Sequence, residues 1–153
     1  MDVHDEWIPE AVFGECIDRL PQVCVEVVLT HDGGVLLARR TNPPAEGEWF
    51  WPGGRLRKGE RLDAAARRIG REELGLAVTV EERLGVQSHF WEAAAPPGAD
   101  SRHTVNVVYE VTPADGLDVT LDDQHDDWRL LTERERGLHE YVEAYLDAYD
   151  LLG

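Results

Sequence analysis

Residues 54–76 read GRLRKGERLDAAARRIGREELGL, and the position of one carboxylate in this stretch governs how the rest is read. At about 100° per residue, Leu62, Ala65, Ala66 and Ile69 share one stripe, which predicts a helix from Leu62 to Leu74 stopped by Gly75. Glu73 falls in the middle of that apolar stripe. A buried, unpaired carboxylate is strongly unfavourable, so Glu73 must be exposed at the helix end, paired with arginine, or bound to a cation. Glu60 and Glu72 lie near it in sequence, and a hard cation such as Mg²⁺ takes carboxylates, backbone carbonyls, water and phosphates as ligands. Gly70 costs the helix about 1 kcal/mol relative to alanine, which either close packing against a strand or drift would explain.

Upstream, WFWPGG (49–54) brings a short aromatic strand up to two glycines, after the proline-rich loop TNPPAEGEW (41–49). Val23–Thr30 and Val35–Arg40 are aliphatic or β-branched runs around HDGG, the signature of a hairpin. Before them, Val12, Phe13, Cys16, Ile17 and Leu20 stand at helical spacing after Pro9, predicting an amphipathic helix over Ile8–Leu20. Downstream, Ala77–Trp91 and His103–Thr112 read as strands around EAAAPPGADS, read as a flexible loop. DDQHDD (122–127), a short strand Trp128–Leu131 and a closing helix striped by Leu138, Tyr141, Val142, Tyr145, Leu146 and Tyr149 complete the chain. This order predicts one domain over residues 1–153, of α/β (α+β) class, with a mixed β-sheet sandwiched between α-helices.

The 31 acidic and 15 basic residues give a formal net charge of -16, which argues against nucleic acid as a partner. Lys58 is the only lysine, and an acidic, lysine-poor surface suits a halophilic cytoplasm, where salt screens self-repulsion. Yet Arg39, Arg40, Arg55, Arg57, Lys58, Arg61, Arg67, Arg68 and Arg71 gather in one short stretch, a candidate anion site within a polyanion. Cys16 and Cys24 have apolar neighbours and read as buried structural thiols. The acidic start MDVHDEWIPE and the lack of a membrane-length apolar run predict a cytoplasmic protein with no membrane partner.

Residues 54–76 resemble the Nudix box, with Gly54, Glu60, Arg68, Glu72, Glu73, Gly75 and Leu76 matching its pattern. One position departs: Ile69 replaces the glutamate that usually follows the box arginine. With ARRTNPPAEGEWFWPGGR upstream, GVQSHFWE in the middle and LDDQHDDWRLLT downstream, the chain looks like the GDP-mannose mannosyl hydrolase branch from about Pro9 to Thr132. The resemblance implies Mg²⁺, with Mn²⁺ as an alternative, held by the Gly53 carbonyl, Glu73 and Gln124. It implies His125 as general base, with Asp123, Asp126 and Asp127 as flanking charges that would tune it. Arg40 corresponds to the arginine that stabilises the leaving diphosphate, and Arg55 and Arg68 to other phosphate-side arginines. Before the resemblance, surface ion pairing is the simpler role for all three.

Glu26 and His89 correspond to sugar-contacting positions, and Phe13 to an aromatic near the base, sometimes supplied across a homodimer; core packing is its simpler role. His103 also matches a family histidine, whereas Thr104 stands where a phosphate-side tyrosine can occur. The implied reaction is Mg²⁺-dependent hydrolysis of a GDP-mannose-type nucleotide sugar to GDP and free sugar, by attack at the anomeric carbon with inversion. Two rivals remain open: a conventional pyrophosphohydrolase using Glu60, Glu72 and Glu73 as a multi-metal cluster, and a non-catalytic nucleotide-sugar sensor.

Overall fold

A computed structural model describes residues 1–92 and 99–152. The middle of the EAAAPPGADS loop, residues 93–98, lies outside the described residues. The chain runs α1 (Glu10–Arg19), β1 (Gln22–His31), β2 (Gly34–Arg40), β3 (Trp49–Phe50), β4 (Gly53–Arg55), α2 (Leu62–Leu74), β5 (Val78–Trp91), β6 (Arg102–Pro113), β7 (His125–Leu131) and α3 (Glu140–Tyr149).

The β1–β2 hairpin forms as its sequence predicts, with Asp32 and Gly33 both at positive φ in the two-residue turn. Its arms pair only at Thr30–Val35 and His31–Gly34, then diverge. β1 continues between β4, antiparallel, and β6, parallel, while β2 joins β3 and β7. The divergence opens a cleft between the ends of the two arms.

Alternation along β1 and β6 makes two cores. Val25, Val27, Leu29, Val107, Tyr109 and Val111 face Ala65, Ala66 and Ile69 of α2, whereas Val28 and Val108 face Val142, Tyr145 and Leu146 of α3. The mixed sheet is therefore sandwiched by α2 and α3. No helix among the described residues is long and apolar enough to cross a membrane.

The predicted bounds of α2 hold, and Gly75 ends it at φ 65, with its N–H bonded to the Arg71 carbonyl and that of Leu76 to Gly70. Gly70 has a packing cause: a Cβ there would sit 2.9 Å from Val78 Cγ2, so the glycine lets the helix lie close on β5. Three expectations change. WFWPGG forms two short strands rather than one, because Pro52 separates the β3 pairing with β2 from the β4 pairing with β1. Cys16 is exposed, and only Gly14 and Ile17 of α1 are buried, so the first helix lies lightly on the body instead of inserting a full stripe. β7 begins at His125 rather than Trp128, which places that histidine on a strand instead of a surface loop.

Candidate active site

Glu73 is the starting point, because it is buried at 8 % exposure on the stripe that carries Ile69. No arginine lies within ion-pairing distance of it among the described residues, so exposure and an arginine partner are both excluded there. Its Oε1 accepts the Gly53 N–H at 3.2 Å. Within a strand, one residue's N–H and C=O point to the same side. The neighbouring bonds to β1 run from Val27 to the Pro52 carbonyl and from Leu56 to the Val23 carbonyl, so the Gly53 carbonyl shares the edge that faces Glu73. Gly53 must be glycine: a Cβ would come within 2.7 Å of Glu26 Cγ and 2.9 Å of the Val25 carbonyl.

The DDQH segment is pinned between two elements. Thr120 and Asp122 donate backbone N–H groups to the Leu74 and Glu73 carbonyls at the end of α2, while Thr41 donates to the Gln124 carbonyl beyond β2. A register shift at Arg39/Arg40 then sets His125 opposite Arg40, with the intervening Asp126 bonded to Arg39. The outcome is a cluster of Glu73, Asp122 and His125, whose ligand atoms all lie within 4.8 Å of one another.

His125 Nδ1 lies 2.7 Å from Asp122 Oδ1, and its Nε2 faces Glu73 Oε1 at 3.8 Å, too far for a hydrogen bond. In the neutral ring with Nδ1 donating to Asp122, Nε2 carries a lone pair, and this atom is buried without a partner among the described residues. Burial, and then the charge of Asp122, push Glu73 up to about 8. Two acceptors facing each other in an anionic, dry setting need a proton or a cation between them. Carboxylate and strand-edge carbonyl oxygens are donors that Mg²⁺ or Mn²⁺ accepts, so Glu73 and Gly53 fit a divalent ion, with His125 Nε2 beside it rather than on it. Gln124 lines the same cleft, where it is exposed and held through its backbone carbonyl.

The cleft is about 450 Å³. Arg40 lines it, bonded through Nε to the Pro44 carbonyl at 2.7 Å and without a carboxylate in ion-pairing range among the described residues. Burial lowers its pKa, and Glu73 opposes that shift. Arg55 lies over the Phe13 ring at 5.9 Å, and both line the cleft, so Phe13 is an element of its wall rather than of either core. Arg68 reaches the cleft with its guanidinium already engaged by Glu60 at 2.7 and 2.9 Å, by Glu72 at 3.1 Å and by the Arg55 carbonyl at 3.0 Å. It holds the box loop to α2, and ion pairing, the simpler of the two roles its sequence position allowed, describes its contacts.

At another wall, Glu26 and His89 are buried at 3 % and 2 % exposure. Glu26 Oε1 accepts hydrogen bonds from the Asn106 amide and from the Tyr145 hydroxyl at 3.2 Å, and burial pushes the carboxyl up to about 8. His89 stacks on Tyr141 with ring centroids 3.9 Å apart, and burial lowers it to about 4, keeping it neutral. His103 stacks instead on Phe90, and Thr104 donates to Asn106.

Sequence reasoning missed Asp122, Asn106, Tyr145 and Arg102. Asp122 could have been found three residues before His125, although DDQHDD offers four aspartates and only the turn selects one. Arg102 lines the cleft at the start of β6, directly after EAAAPPGADS in sequence, and carried no signal.

A family model described as the NUDIX domain matches residues 20–150. The chain belongs to the Nudix family. It is 44% identical over 146 residues to the low-salt glycan biosynthesis protein Agl8 of Haloferax volcanii, covering 95% of this chain and 89% of that protein. It is also 34% identical over 90 residues to an ADP-ribose pyrophosphatase of Methanocaldococcus jannaschii, covering 58% of this chain and 49% of that protein. Among solved structures, the MutT NUDIX hydrolase from Burkholderia pseudomallei superposes with a TM-score of 0.67 at 26% identity, over 85% of this chain and 98% of that one. The MutT protein from Methanosarcina mazei Go1 reaches 0.69 at 20% identity, over 86% and 95%, a likeness of fold. The Nudix fold and hydrolase family membership follow; Nudix hydrolases act on nucleotide derivatives with divalent metals such as Mg²⁺.

Proposed function

We propose that this Nudix hydrolase cleaves a nucleotide sugar of the GDP-mannose type to GDP and free sugar, by attack of water at the anomeric carbon with inversion. The observation that carries this reading is the company Glu73 keeps. Glu60 and Glu72 are engaged by Arg57 and Arg68, and Ile69 is fully buried in the core, so the box helix offers one free carboxylate rather than a cluster. Beside it stands a buried histidine with a ring nitrogen that has no partner among the described residues. This set suits one metal and a base better than the multi-metal attack at phosphorus. The name of the Haloferax relative, a glycan biosynthesis protein, supports a nucleotide-sugar substrate.

His125 Nε2, held by Asp122 through Nδ1, takes a proton from water as its oxygen forms a bond to the anomeric carbon. The bond from that carbon to the diphosphate oxygen breaks, and Arg40 receives the charge gathering on departing GDP. Mg²⁺ or Mn²⁺, bound through Glu73, the Gly53 carbonyl and Gln124, would supply Lewis-acid stabilisation of the diphosphate. One displacement without a covalent intermediate inverts the carbon. Glu26, His89, Arg55 and Phe13 form the walls that meet the rest of the substrate. The halophilic cytoplasmic setting, the homodimer and the single domain over 1–153 belong to this reading; the net charge of -16 supports the first.

Proton NMR during hydrolysis of GDP-mannose in Mg²⁺ and high salt tests the reaction. The expected products are GDP and β-mannose, seen before mutarotation equilibrates the anomers. GMP with mannose 1-phosphate would replace this reading by ordinary Nudix chemistry, the activity named for the Methanocaldococcus relative. Tight binding without products would make the chain a sensor.

A further inference from the structure

The wall around Glu26 holds more polar groups than a neutral core requires. Thr104 Oγ1 donates to Asn106 Oδ1 at 2.6 Å, and both residues are buried. Because the amide oxygen is taken, the Asn106 NH₂ is turned toward Glu26, where it donates to Oε1. The Tyr145 hydroxyl donates to the same oxygen at 3.2 Å and has His89 Nε2 at the same distance on its other side. Tyr145 has a single proton, which goes to Glu26, so in the hydrogen bond between its hydroxyl and His89 the donor is Nε2–H. Two donor chains, one through Thr104 and Asn106 and one through His89 and Tyr145, thus converge on one oxygen of one carboxyl group.

The other oxygen, Glu26 Oε2, is buried and has no partner among the described residues, in a side chain that lines the cleft. Leaving a buried carboxyl oxygen unsatisfied is costly unless a ligand completes it. The partners on Oε1 are neutral, and Asn106 and Thr104 also line the cleft, so the completing group is a neutral one such as a hydroxyl, which accepts from a protonated Oε2 and donates to an ionised one. We infer that Asn106 and Tyr145 are specificity-determining positioning residues, which lock Glu26 through Oε1 so that Oε2 reads one hydroxyl of the substrate's sugar. Thr104 sets the amide orientation on which that lock depends. This rests on the proposal that the ligand is a nucleotide sugar, and is independent of which bond is cleaved.

Binding, rather than turnover, provides the test. Calorimetric Kd values for GDP, GDP-mannose, GDP-glucose and GDP-fucose are measured in Ca²⁺ and high salt for the full chain and for Asn106→Leu, Tyr145→Phe, Thr104→Val and Thr104→Ser. Tyr145→Phe retains the ring stacked on Trp51, and Thr104→Ser retains the hydroxyl. The wild type is expected to separate the three sugars by ~10-fold or more, the scale of one well-placed hydrogen bond. Asn106→Leu, Tyr145→Phe and Thr104→Val should bring the ratio to within about twofold while GDP affinity stays the same, and Thr104→Ser should keep it. A wild type that does not discriminate, variants that keep its ratios, or parallel losses for GDP and the sugars would each overturn the inference. Discrimination that follows these residues while hydrolysis yields GMP would leave it standing and refute only the proposed reaction.

Discussion

Glu26 and Glu73 flank Gly53, are almost equally buried, and are both pushed up to about 8 by that burial. Their neighbours differ in kind. Glu26 is met by an amide, a phenol and a neutral imidazole, all without charge. Glu73 is met by one backbone N–H, the lone pair of His125 and the charge of Asp122. A carboxyl among neutral donors is suited to a neutral ligand, and one among acceptors and anions to a cation. Under the proposed function, the same residue type in the same cleft would serve the two halves of a nucleotide sugar: hydroxyls at one wall, a metal-bound diphosphate at the other.

The strongest way to break this contrast is to neutralise each carboxyl separately. Glu73→Gln is expected to raise the Mg²⁺ concentration for half-maximal activity by ~100-fold, whereas Glu26→Gln leaves that concentration unchanged and alters sugar preference. Asp122→Asn, which removes the charge beside His125 without touching Glu26, should lower kcat by ~10-fold. Metal titrations of activity decide all three, and equal metal dependence in Glu73→Gln and Glu26→Gln would erase the distinction.

A smaller effect sharpens it through pH. In metal-free protein, Glu26 and Glu73 hold their protons more tightly folded, at about 8, than unfolded, at 4.5. Their contribution to stability is therefore complete below 4.5 and is lost as pH rises toward 8. His89 acts in the opposite sense: at about 4 folded against 6.5 unfolded, it contributes above 6.5 and loses that contribution as pH falls toward 4. From about 6.5 to 8 only the carboxyl contributions change, so the melting temperature in EDTA should fall through that window. Mg²⁺ should offset the fall in the wild type and not in Glu73→Gln; a flat profile, or equal rescue in both, would contradict the assignment.

Much of this was legible in the chain, and the reason is periodicity. The α2 stripe gave its own bounds and exposed Glu73 as an anomaly, and the HDGG turn announced the hairpin whose arms open the cleft. What escaped depends on contacts between distant residues. Asp122 partners His125 only because Thr120 and Asp122 bond to the end of α2, and β7 starts early only because Arg40 pairs with His125. Asn106 and Tyr145 reach Glu26 from 80 and 119 residues away, on a strand and a helix whose local patterns read as core. Arg68 shows the converse: its motif position suggested phosphate, but local geometry gives its donors to Glu60 and Glu72.

The central claim concerns which bond breaks, and hydrolysis of GDP-mannose in ¹⁸O-labelled water with Mg²⁺ and high salt tests it most directly. The expected result is label in mannose beside unlabelled GDP, lost when His125 is replaced by glutamine. Label in a phosphate-containing product would place the attack at phosphorus and contradict the claim.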